Sequence, residues 1–464
     1  MSSPQHSPAR AASSEPVLAR AMRPVNYVVE RFIPSALIFA ILLTAVVGVM
    51  ALLLTDASPV TVIEGWGAGL SGLLAFMTQM ALVLLLGHAL ASTRPVRALL
   101  GRLAAMPQTA LAAYVFVFVV AAVACLITWG FGLVVGGLLA REVAAEFSRR
   151  GTPVSFPMLV AAGFSGMVVW HMGYSGSGPL TAATPGSFIE KQVGHVIPVS
   201  ETTFSWWNMT AAVVTVVLVA LALWLVAPRA VPESHSITAE ALAQSEQQIP
   251  EPAIEAPADR LDASRIPTLL VGLALVAYLI IHFTGGGSVT LDIVNWMFLA
   301  LIFVLSRNAF EVMALVKNAA ANVGDILLQF PLYAGIMGIM TATGLIQVLS
   351  DSIVAVATPQ TLGLLAFLSA GLVNFFVPSG GGQVAIQAPI LLDAAARLGV
   401  DPSVLIMSVA YGDQWTNMIQ PFWALPLLAI AGLKIRDILS YTTVVLIVSG
   451  LVFGATMLVV GAGA

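Results

Sequence analysis

Apolar runs of bilayer-spanning length recur along this chain, and they restrict its possible folds more than any other feature. They begin near Ile33 and continue almost to the C-terminus, and about 20 helical residues cross a bilayer. Hydrophobic residues make up 59% of the sequence and charged residues 9%, whereas a soluble domain has roughly 25% charged residues. Gly and Pro interrupt the runs without period-two alternation, which favours helices over a β-barrel. We therefore predict an all-α polytopic membrane protein.

Basic residues near the first span predict its orientation. Arg10, Arg20, Arg23 and Arg31 precede it, and Lys and Arg concentrate on the cytoplasmic side of membranes. Residues 1–31 are therefore expected to form a disordered cytoplasmic tail. The loop TDASPVTVIEGWGAG, which has no Lys or Arg, is expected outside. No apolar segment precedes a cleavage site, which argues against a removed signal peptide.

A polar segment divides the chain into two membrane halves. Residues 229–265 are proline-rich and acidic, which predicts a cytoplasmic linker without chemistry of its own. We expect the first half over 32–228, a linking span over 266–283 and the second half over 284–464. Cys125 is the only cysteine, so an intrachain disulfide and a cysteine-based metal site are excluded.

Each half has a predicted hairpin followed by a predicted broken helix. TWGFG interrupts an apolar run with basic residues at both ends, which predicts a re-entrant hairpin over about 109–146. NFFVPSGGGQ predicts a second hairpin over about 361–397. GYSGSG and DQWTNMIQP predict unwound stretches in broken helices over about 156–180 and 403–432.

The order of these features is the same in both halves, while the charge bias is opposite. Arg94, Arg97 and Arg102 precede the first hairpin, whereas LIQVLSDSIVAVATPQT before the second has no Lys or Arg. The pattern predicts two inverted repeats with about nine spans plus two hairpins, an arrangement typical of secondary transporters. Glycine-rich breaks also serve close helix packing. Four breaks at matching positions favour a binding site.

Polar residues at these breaks are candidates for binding and coupling. Asn374 and Ser379 can bind a carboxylate or a cation, and they can also cap helices. Asp413 lies within a predicted span, where a carboxylate is costly and suggests a functional site. It can bind Na⁺ or carry a proton, or it can form a structural ion pair. Histidine titrates near neutrality, so His88 and His171 are candidates for proton coupling, and His171 is favoured because it borders a break.

Several long stretches resemble the bacterial short-chain fatty acid transporter family. They are WGFGLVVG with LAREVA, GYSGSGPLTAATPG, NFFVPSGGGQVAIQAP and YGDQWTNMIQPFWALPLLAIAGLKIRDI, and QMALVLLLGHALAS extends the match. The family is placed in the ion transporter superfamily, whose members have inverted repeats with two hairpins and commonly form dimers. The resemblance implies uptake of acids such as acetoacetate or butyrate across the inner membrane, with cation- or proton-coupled, elevator-type alternating access.

The resemblance also implies site residues at the two tips and the two unwound stretches. Substrate-binding residues are expected to be Thr128, Gly130, Gly132, Ser175, Ser177, Asn374, Ser379, Gly380, Gly381, Gly382, Gln414, Trp415 and Asn417. Coupling is expected at Asp413, Asn374, Thr128 and His171. No cofactor is expected beyond a coupling Na⁺ or H⁺, and the expected partners are a carboxylate substrate, lipid and a second copy of the chain, not nucleic acid.

Other residues bear on the cargo. Arg141 lies beside Glu142 at the hairpin base and is expected to serve topology. Because the predicted core has no strong positive pair, a monocarboxylate is expected to fit better than a dicarboxylate or phosphate, which would usually need Arg. Four tryptophans are expected either to line an apolar pocket for a short acyl tail or to anchor the protein at the membrane interface. They are Trp129, Trp170, Trp415 and Trp423.

Two alternative functions remain open. The same architecture can carry another organic anion such as a C4-dicarboxylate, or can export its cargo. GYSG matches the short G-x-S-G pattern of intramembrane serine proteases, with Ser175 as nucleophile and His88 or His171 as base. A pattern this short arises easily by chance, and a nucleophile needs a positioned base. No P-loop or redox motif appears in the sequence, so we do not expect an enzyme.

Overall fold

The chain is helical wherever its structure is described. The computed structural model describes residues 36–72, 74–229, 231, 236–237, 256–287, 291–320, 323–378 and 380–462. The predicted N-terminal tail, most of the acidic linker and Ser379 lie outside these residues. No strand occurs within them, which confirms the all-α prediction.

The described helices of the first half range in length from 6 to 21 residues. They are α1 (Ala36–Leu54), α2 (Pro59–Gly69), α3 (Leu74–Ser92), α4 (Arg94–Ala104), α5 (Ala110–Ile127), α6 (Trp129–Arg149), α7 (Phe156–Ser165), α8 (Ser177–Ala182), α9 (Phe188–Val193) and α10 (Trp206–Val226). A 3-10 segment, Gly166–Met172, follows α7 directly. Two helices precede the second half, α11 (Pro257–Asp262) and α12 (Arg265–Thr284).

The second half shows a similar order of elements. Its helices are α13 (Leu291–Leu305), α14 (Ala309–Ala320), α15 (Gly324–Ala342), α16 (Leu345–Val354), α17 (Leu362–Asn374), α18 (Gly380–Leu398), α19 (Pro402–Thr416), α20 (Pro421–Ala431) and α21 (Ile435–Ala462). A 3-10 turn, Asn417–Ile419, separates α19 from the start of α20.

Long apolar helices with exposed faces identify a multi-pass membrane protein. Five helical segments of the described chain are long and apolar enough to cross a bilayer: Ala110–Ile127, Phe156–Ala182, Trp206–Val226, Arg265–Thr284 and Ile435–Gly461. Shorter apolar helices accompany them. Large apolar side chains on these helices are open to the surroundings, with Ile281 69% and Leu451 70% exposed. Such surfaces suit lipid better than water.

The stretch expected as a loop after the first span is largely helical, so the prediction of a loop was wrong, while its outer location stays a prediction. Pro59 occupies the first turn of α2, and the side chain of Ser58 accepts a hydrogen bond from the Thr61 N–H at 3.1 Å. Proline and a serine cap both favour a helix start. The helix then packs along α15, so tertiary contacts stabilise a segment that the sequence alone presents as a connection.

The candidate hairpins and broken helices form the buried centre of the molecule. α5 and α6 pack against each other and against α7, and both α17 and α18 pack against α19. The 3-10 segment after α7 contacts α19, so elements of the two halves touch there. The spanning segment Phe156–Ala182 is buried along its whole apolar window. Much of the first broken helix therefore lies inside protein, where irregular backbone is tolerated at membrane depth.

Candidate functional site

The first hairpin turns at a single residue. Thr128 is buried and extended, with φ −157° and ψ 134°, between the end of α5 and the start of α6. Gly130 and Gly132 are buried in the first turn of α6. A side chain at Gly132 would collide with Cys125 on α5. The break predicted over TWGFG is therefore confined to Thr128, because glycine lets α6 start directly against α5.

The first broken helix is held against this tip by its backbone. The N–H of Tyr174 donates to the carbonyl oxygen of Leu126 at 2.8 Å, and a side chain at Gly173 would collide with Leu126. Ser177 begins α8 and does not extend the unwound stretch. The first tip and the first break therefore form one packed unit.

The second hairpin has a wider tip. α17 ends at Asn374 and α18 begins at Gly380. Gly380, Gly381 and Gly382 thus form the first turn of a helix, although the sequence suggested a loop there. The predicted site residue Ser379 falls between the two helices and outside the described residues. The break lies where proline and two aromatic residues precede the glycines, since proline removes a helical donor.

The start of α18 contacts the first broken helix. A side chain at Gly380 would lie 2.8 Å from Trp170 Cη2 and 3.2 Å from Ser177 Oγ, whereas one at Gly381 would meet no atom within 4 Å. The second tip therefore approaches the first break, as the site prediction requires, and leaves space beside Gly381.

A buried histidine and aspartate join the two broken helices. His171 Nδ1 lies 2.7 Å from Asp413 Oδ2, and neither side chain is exposed. The N–H of Gly178 donates to His171 Nε2 at 3.2 Å. Nε2 is therefore the unprotonated nitrogen, and Nδ1–H donates to the carboxylate. The N–H of His171 also donates to Gln414 Oε1 at 2.9 Å, so two adjacent residues of α19 hold the first break.

Asn374 ties the second tip to the second broken helix. Its Nδ2 lies 2.7 Å from the carbonyl oxygen of Asp413, 3.0 Å from Thr416 Oγ1 and 2.7 Å from Asn417 Oδ1. Gln420 Nε2 donates to the carbonyl oxygen of Asn374 at 2.7 Å. That carbonyl is one of those that a helix end leaves without an intrahelical partner. Asn374 therefore has a structural role at the helix ends, similar to that of a capping residue. Its Oδ1 atom has no hydrogen-bond partner among the described residues.

The second break is shorter than the sequence suggested. Residues 413–421 were expected to be unwound, but α19 continues to Thr416 and α20 begins at Pro421. No Gly or Pro interrupts the stretch before Pro421, so nothing stops the helix at Asp413. Asp413 therefore lies on the last turn of α19, and only 417–420 leave the α-helix.

Three tryptophans form a cluster beside the His171–Asp413 contact. The ring centroids of Trp129 and Trp423 are 5.1 Å apart, and Trp170 lies 6.2 Å from Trp129 and 6.4 Å from Trp423. Trp170 stacks on His171 at 4.1 Å. The cluster, which we call the tryptophan cluster, thus combines the first tip, the first break and the helix after the second break.

Trp415 is not brought into this cluster. Its Nε1 donates to the carbonyl oxygen of Leu446 at 2.7 Å, and its ring lies 4.8 Å from that of Phe367. It therefore packs between α17 and α21. Residues two apart on an α-helix point in different directions, so Trp415 and Asp413 serve different faces of α19.

Several buried polar atoms of the two hairpins and the two broken helices have no hydrogen-bond partner in the described chain. The acceptors are Asp413 Oδ1, Asn374 Oδ1, Gln383 Oε1 and Gln420 Oε1. The donors are Gln414 Nε2, Asn417 Nδ2 and Trp170 Nε1. Buried polar atoms are nearly always satisfied in proteins. This inventory therefore suits a small ion and a polar ligand, because oxygens bind hard cations and N–H groups bind carboxylates.

Sequence reasoning missed two glutamines on the second hairpin. Gln383 Nε2 donates to the carbonyl oxygen of Ala370 at 2.7 Å and to Gln387 Oε1 at 2.8 Å. Both side chains are buried between α17 and α18. Their spacing of four residues, directly after three glycines, places them on one helix face and was a usable signal.

Ser175 is not arranged as a nucleophile. Its Oγ has no hydrogen-bond partner among the described residues, whereas the two ring nitrogens of His171 are engaged by Asp413 and Gly178. His88 lies elsewhere, on α3. A serine nucleophile needs a base within hydrogen-bond reach, so the geometry does not support the protease alternative.

Comparisons with known proteins connect this geometry to transport. A family profile described as "Short chain fatty acid transporter" matches residues 17–460. A protein of Escherichia coli (strain K12) is 41% identical over 441 residues, covering 94% of this chain and 98% of the relative. A protein of Haemophilus influenzae is 36% identical over 459 residues, covering 96% and 99%. Both are named provisionally as short-chain fatty acid transporters.

A solved structure with a distant likeness is the YdaH transporter of Alcanivorax borkumensis. It covers 91% of this chain and 98% of its own, with 16% identity and a TM-score of 0.43. A likeness this low carries no argument about the site.

Proposed function

This chain belongs to the short-chain fatty acid transporter family, and on that premise we propose that it is a secondary active transporter of short-chain monocarboxylates such as butyrate or acetoacetate. An Na⁺ or proton gradient drives the movement of the acid across the bacterial inner membrane. The observation that carries this proposal is the buried contact between His171 and Asp413, which joins the two broken helices and leaves Asp413 Oδ1 without a partner.

Asp413 is the coupling residue in this proposal. Neutral His171 already donates Nδ1–H to one carboxylate oxygen, so Oδ1 is the oxygen that can accept a proton or contribute to an Na⁺ site with Asn374 Oδ1. A buried carboxylate without full compensation is costly. One added positive charge would neutralise Asp413, so that the loaded site would carry only the charge of the substrate carboxylate as it moves through the bilayer. Thr128, at the first tip, remains a predicted further ligand.

The donors and the tryptophan cluster suit a monocarboxylate. Gln414 Nε2 and Asn417 Nδ2 are buried donors that a substrate carboxylate could satisfy, and the tryptophan cluster offers an apolar surface for a short tail. The buried guanidinium of Arg141 lies 12 residues beyond Trp129 along α6, about 18 Å at helical rise. A C4-dicarboxylate would have to place its second charge near Asp413 or the tryptophans, without that guanidinium.

We also propose the finer architecture and motion. The order of α5, α6, α7 and α8 is the order of α17, α18, α19 and α20, which supports inverted repeats with about nine spans and two re-entrant hairpins. In this arrangement the hairpins and broken helices move together against the remaining spans in an elevator-type cycle. The protein works as a homodimer with its N-terminus in the cytoplasm.

The test is uptake of radiolabelled butyrate and acetoacetate into proteoliposomes under an Na⁺ gradient, a proton gradient or neither. We expect accumulation under one gradient, and its loss in Asp413→Asn. Asp393→Asn is the matched control, because Asp393 is an exposed carboxylate of α18 that pairs with Arg397. Accumulation that persists in Asp413→Asn would contradict the coupling role. Accumulation of a C4-dicarboxylate in place of the monocarboxylates would contradict the cargo.

A further inference from the structure

Arg141 is a buried guanidinium outside the site described above. It lies on α6 beyond the first tip and is only 4% exposed. Its Nε and Nη1 atoms are buried and have no hydrogen-bond partner among the described residues. The sequence had suggested a role in topology at the hairpin base, where the guanidinium would reach water or headgroups. The structure places it inside protein instead.

The surroundings of Arg141 leave its charge incompletely compensated. Glu142, its neighbour in sequence, acts electrostatically on Arg141, yet no ion pair among the described residues involves the Arg141 guanidinium. Arg97 on α4 acts electrostatically on both Arg141 and Glu142, and Arg149 acts on Glu142. A buried charge that lacks a close partner is strongly unfavourable, so a mobile anion would stabilise this position.

His88, on α3, is a second buried polar group within electrostatic range of Arg141. A side chain at Gly87 would lie within 2.6 Å of Val134, so α3 and α6 touch about two turns before Arg141. His88 is 3% exposed, its Nδ1 atom has no hydrogen-bond partner in the part of the chain that the structure describes, and the charges of Arg141 and Arg97 act on it. The helices α3, α4 and α6 pack against one another, and the charges of Arg141 and Arg97 reach His88 there.

The chemistry of this position fits a small carboxylate. We propose that Arg141, with His88 and Arg97, forms a second carboxylate site where a short-chain acid binds between solution and the tips. Guanidinium groups bind carboxylates through charge-assisted hydrogen bonds. Arg97 is half-buried on the amphipathic helix α4, so it can attract an anion from solution towards Arg141. The identity of the occupant as transported acid rests on the proposed function.

Binding stoichiometry tests this site independently of transport. Isothermal titration of butyrate into the purified full-length protein is expected to show two butyrates per wild-type chain and one in Arg141→Gln. Arg102→Gln is the matched control, because Arg102 is an exposed arginine of α4, the helix that carries Arg97. This variant should keep both butyrates. A single butyrate in the wild type, with no change in Arg141→Gln, would overturn the proposal.

Competing anions and a transport measurement sharpen the test. Inorganic phosphate or chloride that displaces the Arg141-dependent butyrate at equal concentration would overturn the carboxylate assignment. In proteoliposomes, Arg141→Gln should raise the KM for butyrate about tenfold or more, the usual effect of losing a hydrogen bond to a charged group. An unchanged KM would contradict a place on the transport path.

Two further variants keep the test valid if Arg141→Gln does not fold. Arg141→Lys retains the charge with fewer donors, and should keep two butyrates with a weaker second site. Arg97→Gln should weaken only the second site. If the wild-type protein transports no short-chain acid, but Arg141→Gln binds one butyrate fewer than the wild type, the proposed function is refuted and this site stands. If the wild-type protein transports a short-chain acid but binds a single butyrate, this site is refuted and the proposed function stands.

Discussion

The two broken helices have a similar plan and carry different chemistry. The first has a 3-10 segment of 7 residues that ends in an aromatic residue, a histidine and a methionine, Trp170–His171–Met172. The second has a 3-10 turn of 3 residues, preceded by Asp413 and Gln414 on the last turn of α19. The first supplies an imidazole and an aromatic surface. The second supplies the carboxylate and the amides.

This difference teaches that neither half contains a complete site. Asp413 obtains its neutral donor from His171, and the backbone of His171 obtains its acceptor from Gln414. The tryptophan cluster likewise needs residues from both halves, since Trp423 follows the second break. A substitution on one broken helix should therefore alter the side-chain contacts of the other.

The largest effect on uptake is expected from removing the contact between His171 and Asp413, which joins the two broken helices. In His171→Asn the shorter side chain cannot keep the bonds to both Asp413 and Gly178. Loss of a hydrogen bond to a buried charged group corresponds to about 1.5–3 kcal/mol, so gradient-driven butyrate uptake should fall at least about tenfold. Proteoliposome uptake measures this. His195→Asn, at an exposed histidine, is the control, and equal uptake in both variants would contradict the account.

A second prediction compares the backbone at the two sides of the site. Gly173→Ala forces a side chain into Leu126, whereas Gly381→Ala meets no atom within 4 Å. Overpacking usually destabilises by about 1–3 kcal/mol, so Gly173→Ala should lower the melting temperature of the purified protein and reduce uptake. Gly381→Ala should leave the melting temperature unchanged. Equal melting temperatures for the two variants would show that the tip and the break are not packed as described.

A third prediction separates two tryptophans that flank the second break. Trp423→Ala should reduce the preference for butyrate over acetate, because each buried CH₂ contributes about 0.8 kcal/mol, or roughly fourfold in affinity. Trp415→Ala should leave that preference unchanged, since Trp415 packs between α17 and α21. The ratio of the KM values for the two acids measures the effect. A shift in Trp415→Ala alone would place the acyl tail elsewhere.

The smallest effect is expected at Ser175. Its Oγ has no partner, so in Ser175→Ala the substrate loses at most one neutral hydrogen bond. Such a bond contributes about 1 kcal/mol, and the KM should rise by no more than about fivefold. A serine-reactive phosphonate should not label the wild-type protein. Labelling at Ser175 would revive the protease alternative that the geometry does not support.

Composition and local pattern predicted the class of the protein and the position of several breaks. The apolar runs led to an all-α membrane protein, and TWGFG marked the turn that the structure confines to Thr128. Helix length was harder to judge. Glycines in TWGFG and PSGGGQ suggested loops, yet in the structure they begin α6 and α18, where a small residue permits close contact with a neighbouring helix.

Partners across the halves could not be predicted from local pattern. His171 and Asp413 were separate candidates, and their contact depends on how α7 and α19 pack, which one sequence does not encode in its local spacing. Trp415 was expected to bind substrate because residues 413–421 were predicted to be unwound. The helix α19 continues to Thr416 instead, so Trp415 and Asp413, two residues apart, point in different directions. The burial of Arg141 also depends on tertiary packing, since α3 and α4 pack against α6, the helix that carries it.

The most direct test of the central claim is the protonation pattern of His171 in the full-length protein. Nitrogen NMR of histidine-labelled protein, with the His171 signal assigned by its loss in His171→Asn, reports which ring nitrogen carries the proton. The account predicts protonated Nδ1 and unprotonated Nε2 in the wild type, a changed His171 signal in Asp413→Asn and no change in Asp393→Asn. A His171 signal that is identical in wild type and Asp413→Asn would contradict the claim that the two broken helices form one site.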